Sequence, residues 1–327
     1  MSKVLITGVG GFLGSHVAEW LIKEKHTVVG LDNLSGGSRE NVPKKVKFYK
    51  GDICDATRMN ILFSQEKFDY VYHLAAYAAE GLSHFIRRYN YKNNILGSVN
   101  LINCCINHNV KHFVFTSSMA VYGIGRVPFR EDQIAVPEDP YGIAKLAVEQ
   151  DLRVANDLFG LKYTIFRPHN IYGPRQNLND KYRNVIGIFI KQLLQRKPVT
   201  VFGDGTQQRA FSHVDDVAPY IANAPFIKKA ENEIFNIGGD QHHSINELIE
   251  VLEKIFPKVQ VQNLKARHEV VSAYCDHTKF KKCFEINTLP TNLTSGLCEM
   301  VRWAKKQKLK KPRVMRPEIV KKLPQGW

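Results

Sequence analysis

The sequence has little of what marks disulfide-rich, metal-binding or membrane-spanning proteins. It contains six cysteines, at Cys54, Cys104, Cys105, Cys275, Cys283 and Cys298. They form no C-x-x-C pair and have no companion histidines at zinc-ligand spacing, so we predict no metal site and no disulfide framework. No stretch approaches the roughly 18 continuous apolar residues that a membrane-spanning helix needs.

A secretion signal is also missing from the beginning of the sequence. Met1, Ser2 and Lys3 lead directly into a short apolar run at residues 4–6, with no longer apolar region and no small-residue cleavage site. We therefore expect a soluble cytoplasmic protein. A hydrophobic content of 44% over 327 residues is enough for a well-buried core.

Acidic residues are scarce beside basic ones, which gives a net charge of +15. Residues 302–327 hold ten Lys or Arg and one Glu, a net +9, so this segment carries most of the excess. A charge confined to one end is typical of a solvated tail, with a specific anionic partner as the alternative. We predict no nucleic-acid partner and no membrane partner.

The first half of the chain alternates β-branched runs with helical stretches, the pattern of a parallel sheet built from βαβ units. We predict strands at residues 4–6, 28–31, 46–49, 70–73, 113–116 and 163–166. Helices are predicted to begin near Gly14, Ala56, Tyr91 and Tyr141. These connections are long enough for right-handed crossovers.

The alternation breaks down after residue 168, where Pro168, Pro174 and Pro198 punctuate shorter elements. We predict a first domain over residues 1–168 and a smaller α+β lobe over residues 169–327, allowing for segments that return to the first domain. Ser244 and Glu247 have the spacing of a capping box, which predicts the start of a helix within the lobe.

A glycine-rich stretch, Thr7-Gly-Val-Gly-Gly-Phe-Leu-Gly14, follows the first strand and opens the first helix. Gly8, Gly11 and Gly14 allow a tight turn and a close approach to a pyrophosphate at the helix N-terminus. Asp32 follows the second strand, where a carboxylate can bind ribose hydroxyls and would repel a 2′-phosphate. The pattern predicts a Rossmann-type doubly wound α/β fold with NAD as the cofactor. The same sheet edge carries further predicted cofactor contacts: Asp52 and Ile53 after the third strand, and Leu74, Ala75 and Ala76 after the fourth.

A second motif supplies a candidate for acid–base catalysis. Tyr141 and Lys145 are four residues apart on one face of a helix that Asp139 and Pro140 begin, and Ser118 follows the fifth strand. Lowering the pKa of a tyrosine by about 3 units requires roughly 4 kcal/mol. An ammonium group about 4 Å away supplies energy of that order at an effective dielectric constant of about 20. We therefore predict Tyr141 as general base, Lys145 as its activator and Ser118 as the group that orients or relays the proton.

With these motifs the chain resembles the extended short-chain dehydrogenases, and within them the UDP-glucose 4-epimerases, up to about residue 285. The resemblance implies a homodimer packed through the helices near Tyr91 and Tyr141. It places cofactor contacts at Phe12, Leu13, Asp32, Asn33, Asp52, Ile53, Asn94 and His169, together with Tyr141 and Lys145. It places substrate contacts at Asn170, Arg209 and Arg267, where the two arginines would hold the nucleotide diphosphate.

Departures from the family pattern bear on the reaction and the substrate. Met119 and Ala120 stand where the 4,6-dehydratases have an Asp-Glu pair, so no acid is available there to expel a C6 hydroxyl. His169 replaces a usual Phe. The segment from Tyr77 to Arg88 is also unusual, with Ala78 in place of a Lys and Arg87 in place of a Pro, so we predict substrate contacts in this segment at Tyr77, Glu80 and Ser83, with Arg87 as a further candidate.

We predict epimerisation at C4 of a nucleotide-diphosphate sugar through a 4-keto intermediate, with NAD retained. Two alternatives stay open at this point. One is a C4 dehydrogenase that releases the keto sugar. The other is a non-catalytic NAD-binding regulator on the same fold, although such a protein would gain nothing from an activated base.

Overall fold

A computed structural model describes residues 1–180, 182, 184–266, 272–309 and 315–324. The described strands are β1 Lys3–Thr7, β2 Thr27–Asp32, β3 Lys47–Lys50, β4 Tyr70–His73, β5 His112–Thr116, β6 Tyr163–Pro168, β7 Ile171–Tyr172, β8 Val199–Phe202, β9 Gln208–Ala210, β10 Ser212–His213, β11 Glu233–Ile237, β12 His242–Ser244, β13 Val261–Leu264 and β14 Ser272–Ala273. The α-helices are α1 Phe12–Lys23, α2 Ala56–Glu66, α3 Glu80–Ser83, α4 Arg87–Tyr91, α5 Gly97–Asn107, α6 Pro140–Phe159, α7 Val185–Leu194, α8 Ala218–Asn223, α9 Ile245–Glu253, α10 Thr278–Phe284 and α11 Leu293–Ala304.

A seven-stranded parallel sheet in the order β3-β2-β1-β4-β5-β6-β11 forms the centre of the molecule. Its two faces are covered by separate apolar clusters: Val4 and Ile6 belong to one, and Leu5 between them to the other. Burial on both faces explains why the strands are nearly continuous apolar runs. The predicted α/β Rossmann-type fold with its six strands is confirmed, and β11 adds a seventh strand from the second half of the chain.

A smaller lobe packs beside the sheet. Its core joins α7, α9 and α11 through Phe189, Leu248 and Leu297, which are almost fully buried. Small sheets complete it: β7 with β10, β8 with β13, and β9 between β12 and β14. The predicted capping box is present at the start of α9, where Ser244 and Glu247 bond to each other's backbone N–H groups. The division of the chain at residue 168 stays a prediction.

The helix predicted near Tyr91 begins four residues earlier, at Arg87. Here α4, a π-helical turn at Lys92–Leu96 and α5 follow one another without a break in helical backbone. None of the described helices has the length and apolar character to cross a membrane.

Candidate active site

A cleft of about 960 Å³ runs along the carboxyl ends of the central strands. Most predicted cofactor and catalytic residues line it: Gly8, Gly11, Phe12, Leu13, Gly14, Asp32, Asn33, Ile53, Leu74, Ala75, Ala76, Ser118, Tyr141 and Lys145. Three predicted substrate residues line it as well, namely Tyr77, Glu80 and Asn170. One space therefore joins the glycine-rich turn to the residues predicted for catalysis.

The glycine-rich turn is shaped to receive a phosphate group. Gly8 has a φ of +76°, and a Cβ there would lie 2.7 Å from the backbone nitrogen of Ala75. A Cβ on Gly14 would lie 2.2 Å from the Gly8 carbonyl oxygen. Gly11 stands at the N-cap of α1 and has no side chain, so the first-turn N–H groups face the cleft at the positive end of the helix. These features fit the pyrophosphate of a dinucleotide.

Asp32 lies at the end of β2, next to this turn. Its carboxylate accepts hydrogen bonds from the backbone N–H groups of Gly10, at 2.9 Å, and Leu34, at 2.7 Å. Burial raises the pKa of Asp32, and these hydrogen bonds oppose the shift. One bond on each oxygen leaves lone pairs for ribose hydroxyls. The site therefore fits NAD, as predicted from the position of Asp32.

Asp52 lies beside Asn33, the residue that follows Asp32. It accepts hydrogen bonds from the backbone N–H of Cys54, at 2.9 Å, and from the Asn33 amide, at 3.2 Å. Desolvation works against these bonds, but they prevail and lower the pKa of Asp52. Asp52 lies outside the described lining of the cleft, so in this structure it positions Asn33, which lines it.

The start of α6 holds Tyr141 and Lys145 at the cleft. The Asp139 carboxylate caps the helix by accepting from the backbone N–H groups of Tyr141, at 2.8 Å, and Gly142, at 3.1 Å, and Pro140 occupies the first turn. Tyr141 is 6% exposed. The helix thus presents a nearly buried phenol, with the lysine one turn further along.

Lys145 is enclosed by backbone and aromatic groups. Its Nζ donates to the Thr116 carbonyl at 2.7 Å and lies 4.6 Å from the Phe115 ring centre and 5.8 Å from the Tyr141 ring centre. Burial lowers the pKa of Lys145 to about 7, against the opposing charge of Glu149. A cation this close to the Tyr141 ring favours the phenolate.

A buried polar network contacts the end of β6 and the residue before the catalytic Ser118. Glu149, one turn after Lys145, accepts a hydrogen bond from Ser117 and two from Arg167, at 3.0 and 2.6 Å. Arg167 also donates to the Tyr122 hydroxyl at 2.8 Å. The two charges satisfy each other by a bidentate contact, as a buried pair requires. Because Ser117 precedes Ser118, this network fixes the backbone that carries the Ser118 hydroxyl.

Two predicted site residues, Asn94 and Ser83, are not in the described lining of the cleft but bond to residues that are. Asn94 is buried and holds both backbone groups of Tyr77, at 2.9 Å and 3.1 Å. Ser83 is buried, donates to the Asp139 carboxylate at 3.1 Å and accepts from the backbone N–H of Tyr141 at 3.3 Å. In this structure each residue positions a neighbour that lines the cleft.

His169 and Arg209 also lie outside the described lining. His169 is fully enclosed, with its Nε2 2.9 Å from the Nε2 of His277, whose Nδ1 lies 2.9 Å from the Asp240 carboxylate. Burial lowers the pKa of His169 to about 3. Arg209 is half-buried and donates to the carbonyl of its neighbour Gln208 at 2.8 Å. Arg267 falls outside the described residues.

One group of potential metal ligands occurs in the described part of the chain. Ligand atoms of His213, Asp215 and Glu299 lie within 4.8 Å of one another, and these residues are not among those that line the cleft. Both carboxylate side chains are about half exposed.

Sequence reasoning missed three further stretches of the lining. They are the glycine-serine loop at residues 35–38, the amide-rich connection at residues 176–179 with Tyr182 and Asn184, and the end of the lobe at Trp303, Gln307, Lys308 and Leu309. The consecutive glycines Gly36 and Gly37, shortly after Asp32, could have predicted the first of these stretches. The second stretch begins six residues after the predicted substrate contact Asn170, and the third is far from every motif along the chain.

Comparisons with known proteins agree with this geometry. The sequence model of the NAD dependent epimerase/dehydratase family matches residues 4–238, which is most of the chain. The chain belongs to this family. The resemblance to the extended short-chain dehydrogenases and the prediction of NAD as cofactor are confirmed, as is the prediction of a family enzyme that epimerises nucleotide sugars.

The chain is similar to several UDP-sugar 4-epimerases of this family. It is 33% identical over 322 residues to the UDP-glucuronate 4-epimerase of Thermodesulfobacterium geofontis, covering 93% of this chain and 97% of that one. The crystal structure of Thermotoga maritima UDP-glucose 4-epimerase with UDP-glucose has a TM-score of 0.86 at 35% identity, covering 93% and 99% of the two chains. The UDP-glucuronic acid 4-epimerase of Bacillus cereus, with UDP-glucuronic acid and NAD, has a TM-score of 0.85 at 31% identity and the same coverage.

Proposed function

We propose that this family member catalyses NAD-dependent epimerisation at C4 of a UDP-sugar. The observation that carries the proposal is the convergence of Tyr141, Lys145 and Ser118 on the cleft that also contains the glycine-rich turn. The relatives that bind UDP-sugars support the choice of UDP as the nucleotide.

Each catalytic residue has a role that follows from its surroundings. Tyr141, as phenolate, accepts the proton of the sugar O4 and later returns it. Lys145 stabilises that phenolate, and Ser118 holds the O4 oxygen through its hydroxyl. NAD, when bound, supplies the acceptor and then the donor of the hydride from C4. Between the two transfers the 4-keto sugar turns over, so the hydride returns to the opposite face.

The residues after Ser118 favour epimerisation over dehydration. The Ser118 Oγ accepts from the backbone N–H of Ala120 at 3.1 Å, which shapes a single 3₁₀ turn at Met119–Val121. Since Met119 and Ala120 have no acidic group, this turn offers no proton to a leaving C6 hydroxyl. Epimerisation needs none.

The relatives bear on the sugar. The Thermotoga maritima structure contains UDP-glucose, and Glu80, Tyr77 and Asn170 line the cleft where the sugar is predicted to bind. We propose a hexose, as in UDP-glucose.

The decisive test replaces Tyr141 with Phe, which removes only the phenolic oxygen. We expect epimerisation of UDP-glucose to fall by at least about 10²-fold while NAD remains bound, because general acid–base catalysis contributes 10²–10⁴-fold. Conversion to UDP-galactose measures the rate, and absorbance of extracted cofactor measures bound NAD. Tyr274→Phe, outside the described lining, is the matched control. Wild-type activity in Tyr141→Phe would refute the assignment.

We also propose a cytoplasmic homodimer. All six cysteines are unpaired, which is typical of a reducing compartment. Helix α6 exposes Ile143, Val154 and Leu158 to 42, 54 and 70%, and Leu96 on the adjoining π-helical turn is 49% exposed. Such a stripe on the helices that the family resemblance places at the dimer contact supports a partner chain there.

A further inference from the structure

One wall of the cleft is built by parts of the chain that the cofactor and the catalytic residues do not account for. Tyr77, Tyr89 and Tyr182 line it on one side. The end of α11 and the turn after it contribute Trp303, Gln307, Lys308 and Leu309. These residues belong to segments distant in sequence, yet they border the same space as the predicted sugar contacts Glu80 and Asn170.

The C-terminal segment returns to this wall after residue 314. The Glu318 carboxylate accepts hydrogen bonds from the backbone N–H groups of Arg88, at 2.8 Å, and Tyr89, at 2.9 Å. The backbone N–H groups of Glu318 and Ile319 donate to the Phe85 carbonyl at 2.6 and 3.2 Å. Four hydrogen bonds thus join residues that are about 230 positions apart.

Glu318 supplies what α4 lacks locally. Ile86 stands at the N-cap of α4, and its hydrocarbon side chain has no hydrogen-bonding atom. A carboxylate at a helix N-terminus satisfies first-turn N–H groups and interacts favourably with the helix dipole. Glu318 is also the one acid in residues 302–327, where ten residues are Lys or Arg. Its carboxylate is therefore one point at which this basic segment attaches to the rest of the chain.

Met315 makes the second contact behind the wall. It packs against the apolar cluster of Ala79, Leu82 and Ile86, together with three tyrosines. Those tyrosines are Tyr77, Tyr89 and Tyr182, the same three that line the cleft. Tyr77 and Tyr89 pack edge to face, with ring centres 5.4 Å apart. Met315 and the three tyrosines therefore share one apolar cluster, and the tyrosines also line the cleft.

We infer that residues 303–309 and 315–320, here named the C-terminal strap, form part of the nucleotide-sugar site. Lys308 provides a cation for the substrate diphosphate, and Glu318 and Met315 hold the tyrosine wall in place as positioning residues. This inference rests on the proposed function, because it assigns the strap to the substrate of that reaction.

The strap acts on substrate affinity rather than on chemistry. Glu318 bonds to the start of α4, whereas the turn that carries Tyr141 is held by its own Asp139 cap. The bond from Asn90 to the Pro140 carbonyl does not involve the strap, so it keeps α4 at that turn when the strap undocks. If the strap undocks, the fraction of molecules with a complete wall falls, and the apparent dissociation constant of the substrate rises by the same factor. Cofactor affinity is unchanged, because the glycine-rich turn lies between β1 and α1 and Asp32 ends β2, away from the strap.

The test uses the full-length, NAD-loaded protein with Glu318→Ala, Met315→Ala and Lys308→Gln. We expect calorimetric titration with UDP to show about tenfold weaker binding for Glu318→Ala, the loss typical of one charged hydrogen-bonded group. The KM for the UDP-sugar rises in parallel, while kcat and the Kd for NAD stay within twofold. Lys308→Gln weakens UDP binding and flattens its dependence on salt. Glu253→Ala, an exposed glutamate at the end of α9, is the control.

The outcomes separate the two proposals. If Glu318→Ala and Met315→Ala bind UDP as tightly as the wild type does, and the wild type epimerises the UDP-sugar, the proposed role of the strap is refuted. The proposed function then still stands. A fall in kcat at unchanged KM would also overturn the role of the strap, since it would place Glu318 with the catalytic residues. A wild-type protein that binds NAD but neither binds UDP nor epimerises a UDP-sugar would overturn both.

Discussion

Lys145 has two properties that oppose each other: its side chain is buried, and it must carry a charge to assist Tyr141. Burial lowers the pKa of Lys145 to about 7, and Glu149 limits that shift. The Thr116 carbonyl at 2.7 Å accepts one ammonium proton, which favours the charged form. Near neutral pH the lysine therefore changes between an ammonium that assists Tyr141 and an amine that does not.

This balance predicts the pH dependence of the reaction. A lysine with a lowered pKa keeps its charge below that pKa and loses it as the pH rises through it. We expect kcat/KM for the UDP-sugar to fall above pH about 7 with the loss of one proton. Lys145→Arg, whose guanidinium stays protonated, retains weak activity without this fall. Lys145→Met loses about 10²–10⁴-fold at every pH.

The measurement is a pH–rate profile of kcat/KM for the three proteins, with bound NAD checked at each pH. An unchanged alkaline fall in Lys145→Arg would assign that proton to another group. Equal activity of the Met and Arg variants at pH 6 would show that the positive charge does not assist Tyr141.

Individual residues differ in how far the sequence alone identifies them. Tyr141 and Lys145 are four positions apart on a capped helix, so local geometry was enough to place both at one site. Tyr182, Trp303 and Lys308 have no such local relation, and only the tertiary fold brings them to the cleft. Ser83 shows a third case: Tyr77 and Glu80 of its segment line the cleft, but its own hydroxyl bonds to Asp139 instead.

At the scale of elements, the start of α6 links stability to catalysis. Asp139 caps the helix and also accepts a hydrogen bond from Ser83, which ties α3 to the same helix end. Asn90 donates to the Pro140 carbonyl at 2.8 Å, which ties α4 to it as well. Three helices thus meet at the turn that carries Tyr141.

We therefore expect Asp139→Ala to destabilise the protein and to disturb the site together. Loss of an N-cap side chain costs about 1 kcal/mol, and up to about 2 kcal/mol, in the free energy of unfolding. Asp139→Asn keeps the capping oxygen and should lose less than half as much. Chemical denaturation measures both, and the kcat of the Ala variant should fall as the phenol loses its fixed position. An Ala variant as stable as the Asn variant would contradict the capping role.

The elements themselves were largely predictable, because parallel strands buried on both faces read as short apolar runs. The exceptions have physical causes. Strand β3 begins one residue later than predicted, since the backbone N–H of Val46 closes a turn onto the Pro43 carbonyl. Strand β11 was not predicted, because it follows a stretch of short helical turns rather than a long helix. Its pairing with β6 depends on the tertiary fold.

At the scale of the whole molecule, the basic C-terminal segment is only partly the solvated tail that its composition predicts. Lys321 and Lys322 are exposed, as expected for such a tail. Glu318 and Met315 instead attach the segment to the wall of the cleft. Composition averages over residues, so it could not distinguish one anchoring acid from the ten cations around it.

The assembly of two chains is the remaining property at this scale. If α6 packs against its counterpart in a second copy, light scattering after size exclusion should give twice the chain mass of 37.3 kDa. Leu158→Glu and Val154→Glu would place charges in the contact, where an unpaired buried charge is costly. We expect both variants to elute as monomers.

Ile134→Glu is the matched control, because Ile134 is 87% exposed and lies in the loop before α6. It should remain a dimer. A monomeric wild type, or dimeric Leu158→Glu and Val154→Glu variants, would contradict the packing through α6. Because the same helix carries Tyr141 and Lys145 near its beginning, a dimer through its exposed face would also restrain the catalytic turn. We therefore expect the two monomeric variants to lose thermal stability and part of their kcat together.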